Sequence, residues 1–334
     1  MEFDLAFIWA MLLAIAILAY VILDGFDLGV GILFPTLIYG EDRDTAMNTV
    51  APVWDGNETW LILGGGGLLA AFPVAYAIVM PALYAPIIVM LLGLVFRGVA
   101  FEYRWRDKDH ERFWDYSFAV GSIVATFAQG IVLGAFIQGI EVDGRAYGGG
   151  WWDWLSPFSL LTGVALVAGY GLLGAAWLIL KTEGRVRDRC YRLAMPLTYS
   201  VVGLIALVSL ITPFLDGTIR ARWFDWPNIL FVSPVPLLVA ALAYWLYRAV
   251  KGRKDNRPFP LALGLFVLSY IGLGISLYPY VVPRNLTVWQ AAAPDSSLLF
   301  LLVGALVLLP LIIGYTAYSY WIFRGKVRAG EGYH

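Results

Sequence analysis

Three short segments hold the side chains best able to do chemistry, and each lies in or beside strongly apolar sequence. The first is Asp24-Gly25-Phe26-Asp27-Leu28-Gly29-Val30-Gly31. In a helix, Asp24, Asp27 and Gly31 fall at i, i+3 and i+7, so both carboxylates share one face with a small residue beside them. Gly25 and Gly29 form a GxxxG pair, which lets a second helix approach closely. A carboxylate facing lipid is costly, so these aspartates are expected to face protein or water and to pair. Two roles stay open for them: a proton relay or polar contact with a partner, and a buried structural network with Arg97.

The second segment is Trp54-Asp55-Gly56-Asn57-Glu58-Thr59-Trp60. Asp55 as N-cap with Glu58 three residues on reads as a capping-box-like helix start, with Trp54 and Trp60 as interface aromatics. Equally, Asp55, Asn57 and Glu58 on adjacent turns gather several proton-exchanging groups at one point. The third segment runs from Phe96-Arg97 to Phe101-Glu102-Tyr103-Arg104. Arg97 is expected to snorkel to the surface; its alternative is pairing with Asp24 or Asp27. In Thr287-Val288-Trp289-Gln290 the Trp reads as an interface residue.

The elements that position these groups are membrane helices. Of the 334 residues, 60% are hydrophobic and only 14% charged, against roughly 25% charged in soluble domains. Apolar runs near 6–38, 57–77, 81–103, 116–139, 157–180, 194–215, 229–248, 259–280 and 298–323 each approach the length that crosses ~30 Å of hydrocarbon. The pattern predicts an all-α integral membrane protein of about nine transmembrane helices in a single polytopic domain, residues 1–334. The run 57–77 contains Gly64 to Gly67 and meets Pro73, so a broken or re-entrant segment is the alternative there. Met1-Glu2-Phe3-Asp4 has no basic region or cleavage signature, so the first run is expected to be retained.

Basic residues set the orientation. They concentrate at Arg104, Arg106, Lys108 and Arg112, at Lys181 to Arg192, at Arg248 to Arg257, and in the tail at Arg324, Lys326 and Arg328. The facing loops carry only Arg145, Arg220, Arg222 and Arg284. The C-terminus is therefore expected in the cytoplasm; with nine spans the N-terminus lies outside, and with eight it lies inside. These loops are read as solvated, orienting charge. A net charge of −1 provides no basic face for nucleic acid. The single Cys190 excludes an internal disulfide. The two histidines, His110 and His334, lie outside every expected span, so this chain has no histidine with which to ligate a membrane haem.

These motifs, in this order, closely resemble subunit II of the cytochrome bd-type quinol oxidases, as do the later Tyr278-Pro279-Tyr280 and Thr287-Val288-Trp289. The compact outer loops resemble the shorter, cyanide-insensitive-type members. The resemblance implies two four-helix bundles plus one peripheral helix in a bacterial cytoplasmic (inner) membrane. It implies a heterodimer with a subunit I that holds haem b, haem d and the quinol site, and it allows a small accessory subunit. Membrane lipids and the quinone pool complete the expected partners, with no cofactor on this chain. The complex would oxidise quinol, reduce oxygen to water and take protons from the cytoplasm without pumping. Carried over by position, Asp55 matches a carboxylate of the proton route, with Glu58 beside it, and Asp24 and Asp27 match an acidic pair that is either proton-linked on the same route or structural. Trp54 and Trp60 would lie near the subunit interface, Trp60 beside a lateral oxygen route. Arg97 and Glu102 would be structural charge partners. A proton-coupled secondary transporter, with Gly64 to Gly67 unwound, and a haem-free assembly scaffold are the competing readings.

Overall fold

The computed structural model describes residues 4–327; Arg328, His334 and Met1-Glu2-Phe3 lie outside the described residues. The helices are α1 Leu5–Leu33, α2 Gly40–Asn48, α3 Trp54–Ala71, α4 Pro73–Ala82, α5 Tyr84–Arg106, α6 Glu111–Gln138 and α7 Pro157–Lys181. They continue with α8 Gly184–Leu215, α9 Gly217–Phe224, α10 Asn228–Val232, α11 Pro234–Lys251, α12 Pro258–Leu277, α13 Val288–Ala291 and α14 Asp295–Ile322. Two short antiparallel ribbons pair β1 Val142–Asp143 with β2 Ala146–Tyr147 and β3 Tyr280–Val282 with β4 Leu286–Thr287. Among the described residues, eight helices are long and apolar enough to cross a membrane. They correspond to every expected span except the second.

That second run differs from expectation. Helix α3 begins at Trp54, passes unbroken through Gly64 to Gly67 and stops at Ala71. Phe72 leaves helical geometry, and Pro73, which lacks an N–H, starts α4. The glycines stay helical while one edge of α3 rests on α1: a Cβ at Gly67 would stand 2.5 Å from Leu13 Cδ2. At one end of α3 the Trp54 ring stacks on Phe101 at 4.8 Å. At the other, Ala71 O accepts a hydrogen bond from Ala293 N at 2.9 Å. Eighteen residues rise ~27 Å, so α3 alone joins the two ends of the molecule. Helix α4 lies at the far end, beside β2, β3 and α13.

The long helices pack as two sets of four, one of α1, α3, α5 and α6 and the other of α7, α8, α11 and α12. Helices α1 and α6 join the sets by packing on α7, and α14 rests on α1 and α3 with most of its length exposed. The join depends on close backbone approach. A Cβ at Gly29 would stand 2.0 Å from the Tyr170 carbonyl oxygen and 2.7 Å from Gly174 N. The GxxxG expectation on α1 is met, and its partner is the α7 stretch that held no signal in sequence.

Basic residues gather at one end, where Arg185 pairs with Glu41 and Asp42, and Arg187 and Lys326 pair with Asp255. The opposite end holds the ribbons, with Arg284 on Asp216 at 2.8 Å and Trp289 Nε1 donating to Asp4 at 2.7 Å. Hydrogen bonds to Asp4 from the Phe7 amide and Trp289 hold its carboxyl below the usual range. Gly29→Ala should destabilise the purified protein by about 1–3 kcal/mol, read as an earlier thermal transition in detergent. Gly203→Ala, where nothing lies within 4 Å of an added Cβ, should leave the transition unchanged or raise it.

Candidate functional site

Arg97 leaves α5 and turns inward, with 0% of its side chain exposed. The reason is pairing. Its Nη2 lies 2.6 Å from Asp24 Oδ1 and 3.8 Å from Asp27 Oδ2, and its Nη1 lies 3.0 Å from Glu58 Oε2. The guanidinium also stands 5.5 Å from the Trp54 ring and 5.6 Å from that of Phe101. Gly121 brings α6 against the Arg97 backbone, where a Cβ would meet Arg97 N at 2.9 Å. The snorkelling expectation for Arg97 is therefore overturned: three charge-assisted partners inside the fold outweigh the surface. Asp24 and Asp27 share the face that their i, i+3 spacing predicts.

Asn57 extends the network. Its Nδ2 donates to Asp27 Oδ2 at 2.7 Å and to Leu23 O at 3.3 Å, and its Oδ1 accepts from the Tyr320 hydroxyl at 2.9 Å. Tyr320 is the contribution of α14 to the cluster among the described residues, and nothing in the sequence pattern singled it out. Asp24 Oδ2, Asp27 Oδ1 and Arg97 Nε, all buried, have no protein hydrogen-bond partner among the described residues. The buried Tyr20 and Tyr170 lie within electrostatic reach of Asp24.

Asp55 is exposed in the first turn of α3 and does not cap it; Val53 is the N-cap, with no side-chain cap. The capping-box reading fails because the helix starts one residue before Asp55. Glu58, one turn on and 27% exposed, stands between Asp55 and the enclosed pair Asp24 and Asp27. Burial thus increases stepwise along the four sequence-identified carboxylates. Trp60 packs on Ala16 and Tyr20, its Nε1 without a partner among the described residues, and Trp54 stacks on Phe101. Glu102 stands apart: it is 62% exposed and, among the described residues, its ion pair is with Arg106, at 3.4 Å.

A second buried arginine was missed. Arg104, assigned in sequence to a solvated loop, lies inside α5 and is fully enclosed. It binds Asp115 at 2.6 Å, Asp44 at 2.6 Å and Glu111 at 3.1 Å, while Arg43 binds the other oxygen of Asp115 at 2.7 Å. The Arg97–Arg104 spacing of i, i+7 places both on one face of α5, and that was the available signal. Of the two histidines only His110 is described; it is exposed and bonds Asp107, which raises its pKa. Among the described residues no group of three or more His, Cys, Asp or Glu side chains is arranged to hold a metal ion.

A sequence profile described as cytochrome bd terminal oxidase subunit II matches residues 5–323. The chain belongs to this family. It is 31% identical to cytochrome bd ubiquinol oxidase subunit 2 of Bacillus subtilis, over 97% of each chain. It is 30% identical to cytochrome bd-I ubiquinol oxidase subunit 2 of Escherichia coli K12, over 97% of this chain and 95% of that one. The fold is similar to that of the bd oxidase from Geobacillus thermodenitrificans, with a TM-score of 0.77 at 17% identity, covering 96% of this chain and 99% of the other. This subunit II is thus a multi-pass membrane component of a bd-type quinol oxidase, working in complex with a subunit I. Within it, removing the cation that holds three carboxylates should be severe. Arg97→Gln should cost about 3–5 kcal/mol, measured by thermal unfolding of the purified complex, and Arg97→Lys should recover little because an ammonium cannot span the same fork of acceptors.

Proposed function

We propose that this subunit II carries protons from the cytoplasmic face toward an oxygen-reducing centre in its partner, while binding no haem itself. The observation that carries the reading is the graded row Asp55, Glu58, Asp24 and Asp27, running from solvent to full burial around one arginine. Oxygen reduction consumes protons at a buried centre, and hydrocarbon supplies none; carboxylates reaching inward from one face meet that need. A proton taken up at Asp55 passes to Glu58 and then to the inner aspartates. Asp24 Oδ2 and Asp27 Oδ1, free of protein partners among the described residues, are the atoms open to receive it. Subunit I would hold haem b, haem d and the quinol site, and a small accessory subunit would be a further partner.

The charge asymmetry supports the basic end in the cytoplasm of a bacterial cell, the C-terminus inside and the N-terminus outside, with α3 as the ninth crossing. Trp54 and Trp60, on the helix that also exposes Ile62 and Leu69, would then lie near subunit I, Trp60 beside an oxygen path. A transporter needs the Gly64 to Gly67 stretch unwound, and the continuity of α3 disfavours it.

The test is oxygen consumption by the purified complex with its visible spectrum recorded on the same sample. Asp55→Asn and Glu58→Gln should each slow turnover several-fold while leaving haem content near normal. Unchanged turnover in both would remove this row from the proton route. Turnover that falls only in step with haem content would make the row an assembly element, which is the scaffold reading.

A further inference from the structure

The turn between α11 and α12 gathers four exposed cations within ten residues. Arg248, Lys251, Lys254 and Arg257 are all exposed, and none pairs with a carboxylate among the described residues. Several neighbouring cations differ. Arg253 is taken by Asp188, Arg187 and Lys326 by Asp255, and Arg185 by Glu41 and Asp42. Asp255 is the sole acidic residue between Tyr244 and Leu261, and it faces away. It accepts from the Tyr191 hydroxyl at 2.8 Å and lies 3.2 Å from Arg187 and 3.1 Å from Lys326. Burial acts against its charge, but hydrogen bonds from Tyr191 and Lys326 and the charges of Lys326 and Arg187 hold its carboxyl below the usual range. It stays ionised and engaged elsewhere.

The four cations border a groove of ≈ 910 Å³, whose lining includes Tyr244 and Trp245. The groove continues an apolar stripe. Leu237, Leu238, Ala241, Tyr244, Trp245 and Arg248 recur at helical spacing on the exposed side of α11. In order along the helix they present aliphatic surface, then amphipathic rings, then positive charge. Arg248 Nη1 donates to the Tyr244 hydroxyl at 3.1 Å, and Lys251 Nζ to that of Tyr247 at 3.2 Å, so two of the heads are held at the level of the rings.

We infer that this groove binds the phosphodiester headgroup of an anionic phospholipid, its acyl chains lying along the α11 stripe. A soluble anion would use the cations alone; the continuous apolar stripe below them fits a molecule with tails. Headgroup attraction of about 1 kcal/mol for each cation near the surface makes the site additive in charge.

Native mass spectrometry of the delipidated complex, titrated with phosphatidylglycerol or phosphatidylcholine, tests this. Phosphatidylglycerol should be retained in preference. Lys251→Gln with Lys254→Gln should weaken that retention about 30-fold, and Lys254→Gln alone, which lies in the turn outside both helices, about fivefold. Arg112→Gln with Arg192→Gln, neutralising exposed cations elsewhere at the basic end, should leave retention unchanged. Equal retention of the two lipids, or retention indifferent to the Lys254→Gln change, would overturn the assignment. Displacement of phosphatidylglycerol by millimolar inorganic phosphate would make the groove a free-anion site and overturn it equally.

Discussion

A guanidinium that cannot reach water must be satisfied inside the fold, and around Arg97 that constraint sets the register of three helices. The carboxylates that satisfy it come from α1 and α3, while Arg97 itself comes from α5. A slip of one residue along any of the three would swing a charge away from its partner. The same turns of α1 lie against α7 at Gly29, so the charged contact on one side of α1 and the backbone contact on the other fix its rotation together. Asn57 then ties in α14 through Tyr320, a specific hold on a helix that otherwise has few.

The two buried arginines of α5 show why pairing alone does not define a proton site. Around Arg104, three carboxylates meet three cations, since Arg43 shares Asp115 and Lys108 lies 3.7 Å from Glu111. Asp44 and Glu111 are also 39% and 34% exposed, so the charge there is balanced and partly hydrated. That arrangement is a clamp between α2, α5 and α6. Around Arg97 there is one cation for three carboxylates, and two of those carboxylates are closed to water. Uncompensated charge in a low-dielectric interior is expensive, and a proton shared among the acids relieves it. The same charge imbalance that burdens stability is what the proposed proton route would draw on.

What the sequence disclosed follows the range of the forces involved. Helical periodicity is local, so the shared face of Asp24 and Asp27, the GxxxG edge and eight of the spans could be read directly. The missing histidines and the ordered motifs pointed to the family and to a division of labour with a partner. Contacts between helices were less accessible. Arg97 sits near a helix end, where snorkelling is the ordinary outcome, and only the packing of α1 and α3 against α5 decides for pairing with Asp24 and Glu58. Arg104 was placed in a loop because α5 runs one turn beyond the apolar stretch. Gly174 and Tyr320 matter through partners on α1 and α3, more than a hundred positions away, and no local pattern marks either. Glu102 shows the converse: a charge inside a motif that points outward and pairs within its own helix.

Helix α3 draws these strands together. It is the long helix that least resembles a membrane span, since Asp55, Asn57 and Glu58 occupy its first turns and four glycines its middle. Polar groups at a helix start weaken its preference for lipid, and glycines weaken the helix itself. Both features become favourable once neighbours are in place: Glu58 meets Arg97, Asn57 meets Asp27 and Tyr320, and the glycine edge seats against Leu13 and Ile17 of α1. The helix is thus stable only as part of the bundle, and the groups that make it a poor span alone are those that bring solvent-exposed Asp55 within one helical turn of the buried cluster. A more apolar α3 would look more like a span and would lose the only graded row of carboxylates among the described residues.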